Sequence, residues 1–272
     1  MSRNNEERLA QPKTQQTQQT QQAVYTVPTD FVKLPSGGKF YPESHALHNV
    51  DEIEVSFMTT KQEDILVSPS YNEKGIMFDR LIESIMVSHN VVASTLLEGD
   101  RNAILINARK NAYGDLYNSR VLCESCYEVI EVQASLSEIK NKEPPDIDVT
   151  PSGTFIIKLP RLGASVELKL YTGQDREEIK KRTERKKKHD LPEETVTDNL
   201  RQMIVSVDGR NDVFFISDFI GKIPPIDTRY IASMHRKVTP NVDITYEEEC
   251  ESCQEVNKGG VPIDGDFFWF NE

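Results

Sequence analysis

The sequence is poor in cysteine and tryptophan, with four and one, respectively, in 272 residues. It has no run near the roughly 18 apolar residues of a membrane-spanning helix, so no such helix is expected. Its first residues, MSRNNEERLAQ, lack the apolar core of a secretory signal. We therefore expect folding in a reducing cytoplasm, where paired cysteines indicate metal or redox chemistry more often than disulfides.

Catalytic patterns are also lacking. The sequence contains no G-x-S-x-G, no phosphate loop, no dinucleotide fingerprint and no HExxH. The PSGG stretch at 35–38 is not followed by the lysine of a phosphate loop and predicts a turn. We expect a protein that is not an enzyme and has no small-molecule substrate.

The formal net charge is −12, from 44 acidic and 32 basic residues. Such a chain is a poor general binder of nucleic acid or anionic lipid. The one dense basic run, KKRTERKKKH at 180–189, follows acidic residues on the same predicted helix, where Glu177 and Glu178 can pair with Lys181 and Arg182. A solvated helix face is the simpler interpretation, and a contact with nucleic acid is the alternative.

The order of patterns predicts an α+β fold, with helices inserted between strand pairs and a zinc-ribbon-like site formed by two C-x-x-C knuckles. A Gln/Thr-rich stretch makes 1–24 a disordered tail. We expect an N-terminal α+β part over 25–141, a linker around 142–148, an inserted α/β part over 149–240, and the second knuckle with an aromatic end over 241–272.

Helix starts are predicted by capping patterns. Thr60 with Glu63 has capping-box spacing, and Thr172 with Asp175 opens a long charged helix. Asp100 fits the N-cap of an amphipathic helix that ends near Gly114. The stretch 195–207 predicts one further helix.

All four cysteines lie in two near-identical pieces, CESCYEV at 123–129 and CESCQEV at 250–256. Each piece falls between two predicted strands, and a C-x-x-C turn places two thiolates on one side of a tight knuckle. Two facing knuckles would hold one tetrahedral Zn²⁺ through Cys123, Cys126, Cys250 and Cys253. Four thiolates leave no open position, so the zinc would be structural.

Other uses of these cysteines remain open. A redox C-x-x-C lies at a helix start, whereas both pairs here enclose Glu-Ser between predicted strands. Redox or disulfide chemistry and inert buried thiols are the alternatives to zinc. Under the shared-zinc hypothesis, replacing Cys123 or replacing Cys253 with serine has the same consequence.

Aromatic residues are concentrated at the end of the chain in DFFWF. A final strand in the protein's own core would explain them, and an anchor for a partner is the alternative. Alternating apolar residues, prolines and a Gly-Gly pair over 24–43 predict an extended arm with a tight turn, and this arm contributes two further aromatic candidates. The predicted partner-binding residues are Phe40, Tyr41, Phe267, Phe268, Trp269 and Phe270.

Several stretches together resemble a known family. FVKLPSGGKFYP, then MTTKQEDIL, then LLEGDRNAILINARKNAYGDLY leading into CESC are similar to the T4-like phage baseplate protein family. The order of these pieces and the aromatic end after the last C-x-x-C match as well. The resemblance covers 25–140 well, 240 to the end less specifically, and 150–240 by position alone.

This resemblance implies a non-enzymatic subunit or assembly protein of the central baseplate hub of a contractile phage tail. Its partners would be other hub or tail proteins, with no membrane involved. It would act in the cytoplasm of the infected bacterium, either transiently or as part of the finished virion. The alternative function is a zinc-ribbon accessory protein that contacts nucleic acid through 180–189.

Overall fold

The computed structural model describes residues 26–87, 91–260, 263 and 265–269. Within these ranges, helices alternate with small antiparallel sheets, which confirms the predicted α+β class. The predicted tail over 1–24 lies outside the described residues.

The helices of the described residues fall into an N-terminal group and a group in the second half. Their bounds are α1 Thr60–Leu66, α2 Pro69–Glu73, α3 Met77–Ile85, α4 Glu98–Tyr113, α5 Gly173–Lys188, α6 Thr195–Met203, α7 Val213–Lys222 and α8 Pro225–Val238. Short 3₁₀ helices cover Ala93–Thr95 and Gly265–Phe268.

The strands are short and pair antiparallel. Their bounds are β1 Thr29–Lys33, β2 Glu52–Ser56, β3 Leu116–Leu122, β4 Val129–Ser135, β5 Lys140–Lys142, β6 Phe155–Lys158, β7 Ser165–Leu168, β8 Ile204–Val207, β9 Asn241–Asp243, β10 Thr245–Glu249 and β11 Val256–Gly260. The sheets are β1–β2, β3–β4, β5–β9, β6–β7–β8 and β10–β11.

The strand β5 precedes the predicted insertion and pairs with β9, which follows it. This pairing brings residues 140–142 beside residues 241–243. The β3–β4 and β10–β11 hairpins then lie side by side, with β10 packed against β4. We call these two hairpins, residues 116–135 and 245–260, the cysteine lobe.

Apolar side chains form two separate clusters. The large one joins side chains from both halves of the chain, such as Ile104 of α4 and Ile231 of α8. The small one lies inside the cysteine lobe and consists of Cys123, Ile130, Val132 and Cys250. Because the large cluster crosses the predicted boundaries, the division into parts at 141–149 and 240–241 stays a prediction.

Helix starts follow the capping patterns closely. Thr172 caps α5 in a capping box with Asp175, as predicted. The helix α1 begins one residue earlier than predicted, because its capping box uses Thr59 and Gln62. Gly114, with φ 94, ends α4 at the predicted position.

Asp100 is not the N-cap of α4, because Leu97 holds that position. The Asp100 carboxylate instead lies fully buried. It accepts hydrogen bonds from the Ser36 N–H at 2.9 Å, the Ser36 hydroxyl at 2.6 Å and the Tyr41 hydroxyl at 2.8 Å. Burial raises the pKa of this carboxyl, and the three donors oppose that shift. The turn over 35–41 is therefore fixed to α4 through a buried carboxylate.

The stretch 195–207 is only partly helical. The helix α6 ends at Met203, and Ile204–Val207 continues as β8 beside β7. Two aliphatic side chains of β8, Ile204 and Val207, are buried. The β-branched residues of β8 favour the extended backbone, and pairing with β7 decides the outcome.

Candidate metal centre

Each pair of cysteines lies in the turn of a two-stranded hairpin, as the sequence predicts. In the first turn the Cys123 N–H donates to the Glu128 carbonyl at 2.8 Å, and the Tyr127 N–H donates to the Cys123 carbonyl at 3.0 Å. The second turn repeats both bonds at the matching positions, from Cys250 and Gln254, at 2.9 and 2.8 Å. The two knuckles thus have the same backbone hydrogen bonds.

The four sulfurs converge on one point. The Sγ of Cys123 lies 3.6 Å from that of Cys253, and the Sγ of Cys126 lies 3.6 Å from that of Cys250. All four sulfurs lie within 4.8 Å of one another. Zn–S bonds of about 2.3 Å at the corners of a tetrahedron place the sulfurs about 3.8 Å apart, so this arrangement fits a four-thiolate metal site.

A pair of disulfides fits less well. The pairs that approach to 3.6 Å come from different knuckles, and that distance is far beyond an S–S bond of about 2.05 Å. All four cysteines have free thiols. Because each knuckle contributes to both close pairs, the sulfurs form one cluster that joins the two hairpins.

The thiols differ strongly in acidity. Hydrogen bonds from the backbone N–H of Cys126, and then of Ser125, lower the pKa of the Cys123 thiol to about 6 against the effect of burial. The backbone N–H of Glu128 lowers the pKa of the Cys126 thiol, but burial and the three neighbouring thiols outweigh it and raise that pKa to about 12. A divalent cation at the centre of the four sulfurs would replace the protons of the thiols.

Asn257 supports the cluster and was missed from the sequence. Its buried side chain accepts from the Glu124 N–H at 3.0 Å and directs its amide N–H at the Cys123 sulfur at 3.5 Å. It therefore ties the second hairpin to the first knuckle beyond the cysteines themselves. A second hydrogen-bonded shell of this kind orients metal ligands. Asn257 lies seven residues after Cys250, and the residue seven after Cys123 is Ile130. This difference between the two hairpins is the only signal in the sequence for the role of Asn257.

Most of the predicted partner-binding aromatics lie in the protein's own core, the other explanation that the sequence left open, and their contact with a partner stays a prediction. Phe40, Tyr41, Phe267 and Phe268 lie in the large apolar cluster, with no more than 4% of any side chain exposed. The chain fills its own core with these four side chains. Trp269, 37% exposed, reaches the surface, and its contact with a partner stays a prediction. Phe270 lies outside the described residues.

The aromatic end is anchored by a buried arginine instead of a strand. The Arg109 Nε of α4 donates to the Phe267 carbonyl at 2.6 Å. The same guanidinium lies 4.7 Å from the Tyr117 ring centre, and the Phe267 and Tyr117 rings are 5.0 Å apart. The 3₁₀ helix Gly265–Phe268 therefore packs on α4 and β3, where a strand was expected.

The basic run lies on α5, and acidic residues pair with much of it. Lys181 pairs with Glu177 at 3.3 Å, as predicted. Arg182 pairs with Asp198 at 3.5 Å, where Glu178 was predicted. Lys186 contacts Asp198 at 2.8 Å, and that hydrogen bond is the main cause of its raised pKa. Pairing with α6 and the residues before it lowers the positive charge that this helix presents.

Among the described residues, no helix is long and apolar enough to cross a membrane.

Comparison with known proteins assigns a family. The family model described as "T4 bacteriophage base plate protein" matches residues 27–269, which is most of the chain and includes both knuckles. A search of curated proteins and a search of solved structures found no match.

Proposed function

We propose that this chain, which belongs to the T4 bacteriophage base plate protein family, is a non-enzymatic structural or assembly protein of the central hub of a contractile-tail baseplate. The observation that carries the proposal is the family match across residues 27–269. The three stretches that resemble hub proteins lie inside that range. In this proposal its partners are other hub or tail proteins, and it meets them in the cytoplasm of the infected bacterium.

The proposal includes one structural zinc per chain, held by Cys123, Cys126, Cys250 and Cys253. The support for it is the cluster of four sulfurs within 4.8 Å and the match between their spacing and a tetrahedral site. Zinc would link the β3–β4 hairpin to the β10–β11 hairpin. The cysteines would then hold together two segments with 123 residues between Cys126 and Cys250.

The role proposed for the protein is to present surfaces from a rigid body. The large apolar cluster includes side chains of the arm, such as Phe40 and Tyr41, and Phe267 and Phe268 near the other end. Trp269 is the proposed contact there. The four-thiolate site leaves no coordination position for a substrate. A structural role for the metal follows from this proposal.

Two measurements test the proposal. Metal analysis of the purified chain should find about one zinc per chain if the knuckles share a site. Affinity purification of the tagged chain from phage-infected cells should recover baseplate hub or tail proteins. Recovery of nucleic acid or polymerase alone would contradict the hub function, and a chain without metal would contradict the zinc.

A zinc-ribbon accessory protein that binds nucleic acid through 180–189 is the alternative. The ion pairs of Arg182 and Lys186 with Asp198 weigh against it, because they engage the charges that a phosphate backbone would need. A salt-sensitive shift of DNA on a gel, lost when Lys186, Lys187 and Lys188 are reversed in charge, would favour this alternative.

A further inference from the structure

The outward face of the β3–β4 hairpin exposes apolar side chains beside the first knuckle. Leu122 and Val129 are paired directly across the hairpin, and each is 60% exposed. Tyr127 lies in the turn between them and is 75% exposed. The opposite face of the same hairpin is buried against the small apolar cluster, through Ile130 and Val132. Three large apolar side chains therefore face away from the chain.

The knuckle does not need a tyrosine at position 127 in order to fold. Its φ is 60, in the left-handed region that costs a residue with a side chain about 1–2 kcal/mol. Within the described part of the chain, its hydroxyl forms no hydrogen bond and its ring contacts no other ring. The matching position of the second knuckle, Gln254, also has φ 60. The turn thus forms with glutamine as well as with tyrosine.

The second hairpin provides an internal comparison, position by position. Counted from the first cysteine of each knuckle, Leu122 matches Glu249 and Tyr127 matches Gln254. The cross-strand ion pairs on the two outward faces also match, with their charges reversed. They are Arg120–Glu131 at 3.2 Å and Glu247–Lys258 at 2.6 Å. The third position is apolar in both hairpins, since Val129 matches Val256, which is 46% exposed. The first hairpin therefore differs from the second by two apolar side chains, Leu122 and Tyr127, on the same scaffold.

Charge around the apolar face indicates what kind of surface would cover it. The cysteine lobe contains eight glutamates, one arginine and one lysine. Arg120 and Lys258 are already paired with glutamates across their own strands. The lobe is therefore acidic, and a complementary surface would carry lysine and arginine around an apolar centre.

We propose that Leu122, Tyr127 and Val129 form the centre of a docking surface for another baseplate protein, one that presents apolar side chains bordered by lysine and arginine. This inference rests on the proposed hub function. An aromatic and two aliphatic side chains at the centre and charges at the rim match the anatomy of protein interfaces. The acidic lobe would direct the encounter, so association is weaker at high salt.

Site-specific photo-crosslinking tests the surface in the assembling particle. Tyr127 is replaced by p-benzoylphenylalanine, which retains an aromatic side chain at an exposed position. The tagged full-length chain is expressed in cells infected by the phage. The matched control places the same residue at Phe214, which is 85% exposed at the start of α7. We expect a crosslink from position 127 to a lysine- or arginine-rich segment of another baseplate protein, and none to that protein from position 214.

A double variant provides a second, independent measurement. Leu122→Glu with Tyr127→Gln installs the residues that the second knuckle already uses, so zinc content and melting temperature should equal those of the wild type. Affinity purification with this variant should recover about thirtyfold less, or still less, of the partner that the crosslink from position 127 identifies, as for a lost interface anchor.

The outcomes separate the two proposals. Normal partner recovery by the double variant, or a chain that enters baseplates without a crosslink from position 127, would overturn the surface and leave the hub function standing. A crosslink to a second copy of the chain or to an acidic segment would overturn the inferred partner. A basic partner outside the baseplate, with the chain absent from baseplate fractions, would overturn the hub function as well.

Discussion

Serine variants of Cys123 and Cys253 distinguish a shared metal site from thiols that only pack, because the two cysteines differ in burial. Cys123 has no exposed surface, whereas Cys253 is exposed. If the thiols only pack, Cys253→Ser is nearly neutral and Cys123→Ser alone is harmful. If they share one metal, both variants lose it, because either leaves three sulfur ligands. We expect the two variants to behave alike.

The magnitude follows from the small size of the apolar cluster in the cysteine lobe. Burial of its two aliphatic residues, Ile130 and Val132, contributes about 3–6 kcal/mol together. Binding of a structural zinc contributes about 10–16 kcal/mol in small domains. The metal would therefore stabilise the lobe more than its apolar cluster does, and loss of the metal should unfold the lobe. The large apolar cluster takes only Tyr117 and Ala134 of its buried residues from the lobe, so the remaining fold should persist.

Hydrogen exchange read by mass spectrometry measures this prediction. Without metal, the amides of 116–135 and 245–260 should exchange as in an unfolded chain, and those of 155–238 should keep their protection. Ser252→Ala is the matched control, since Ser252 lies inside the second knuckle and offers no thiol. Full zinc content and unchanged exchange in Cys253→Ser would refute the shared site.

Three further predictions concern the body of the protein. Gly38→Ala should prevent folding, because the φ of Gly38 is 72° and a Cβ there would lie 2.3 Å from the Val50 nitrogen. At Gly37 a Cβ would have no atom within 4 Å, so Gly37→Ala should lower the free energy of unfolding in urea by only about 1 kcal/mol. Burial lowers the pKa of His235 to about 4. The unfolded chain therefore binds a proton at higher pH than the folded chain does, and up to about 3 kcal/mol of stability should be lost as the pH falls from 6.5 to 4. His235→Leu should not show this loss. Asp198→Asn should raise retention on heparin by releasing the cations that it pairs on α5, and unchanged retention would show that these pairs do not mask the helix.

Local patterns in the sequence were sufficient for the knuckles and several helices. A C-x-x-C between two alternating strands needs only short-range hydrogen bonds, and both turns form as predicted. The capping box of Thr172 and Asp175 and the glycine that ends α4 are also local. Each of these features depends on residues within a few positions of one another, which is why the sequence predicts them.

Features that depend on distant segments were predicted less well. Asp100 has a side chain suited to an N-cap, but a buried turn from 64 residues earlier in the chain supplies its hydrogen-bond donors. The stretch 195–207 was predicted as one helix, whereas pairing with β7 makes Ile204–Val207 a strand. The aromatic end packs on α4 because the buried Arg109 donates a hydrogen bond to its backbone there, and no local pattern predicts that contact.

The sequence alone determined that four thiols occur in two matching knuckles and that the chain resembles baseplate proteins. Spacing and residue type are local properties, and so they can be read directly. Only the tertiary structure decided that the four sulfurs meet within 4.8 Å, that Asn257 supports them, and that Leu122, Tyr127 and Val129 face outward. The meeting of the two knuckles accompanies the β5–β9 pairing, which joins segments about a hundred residues apart. Such pairings are set by the packing of the whole chain, and no short stretch of sequence encodes them.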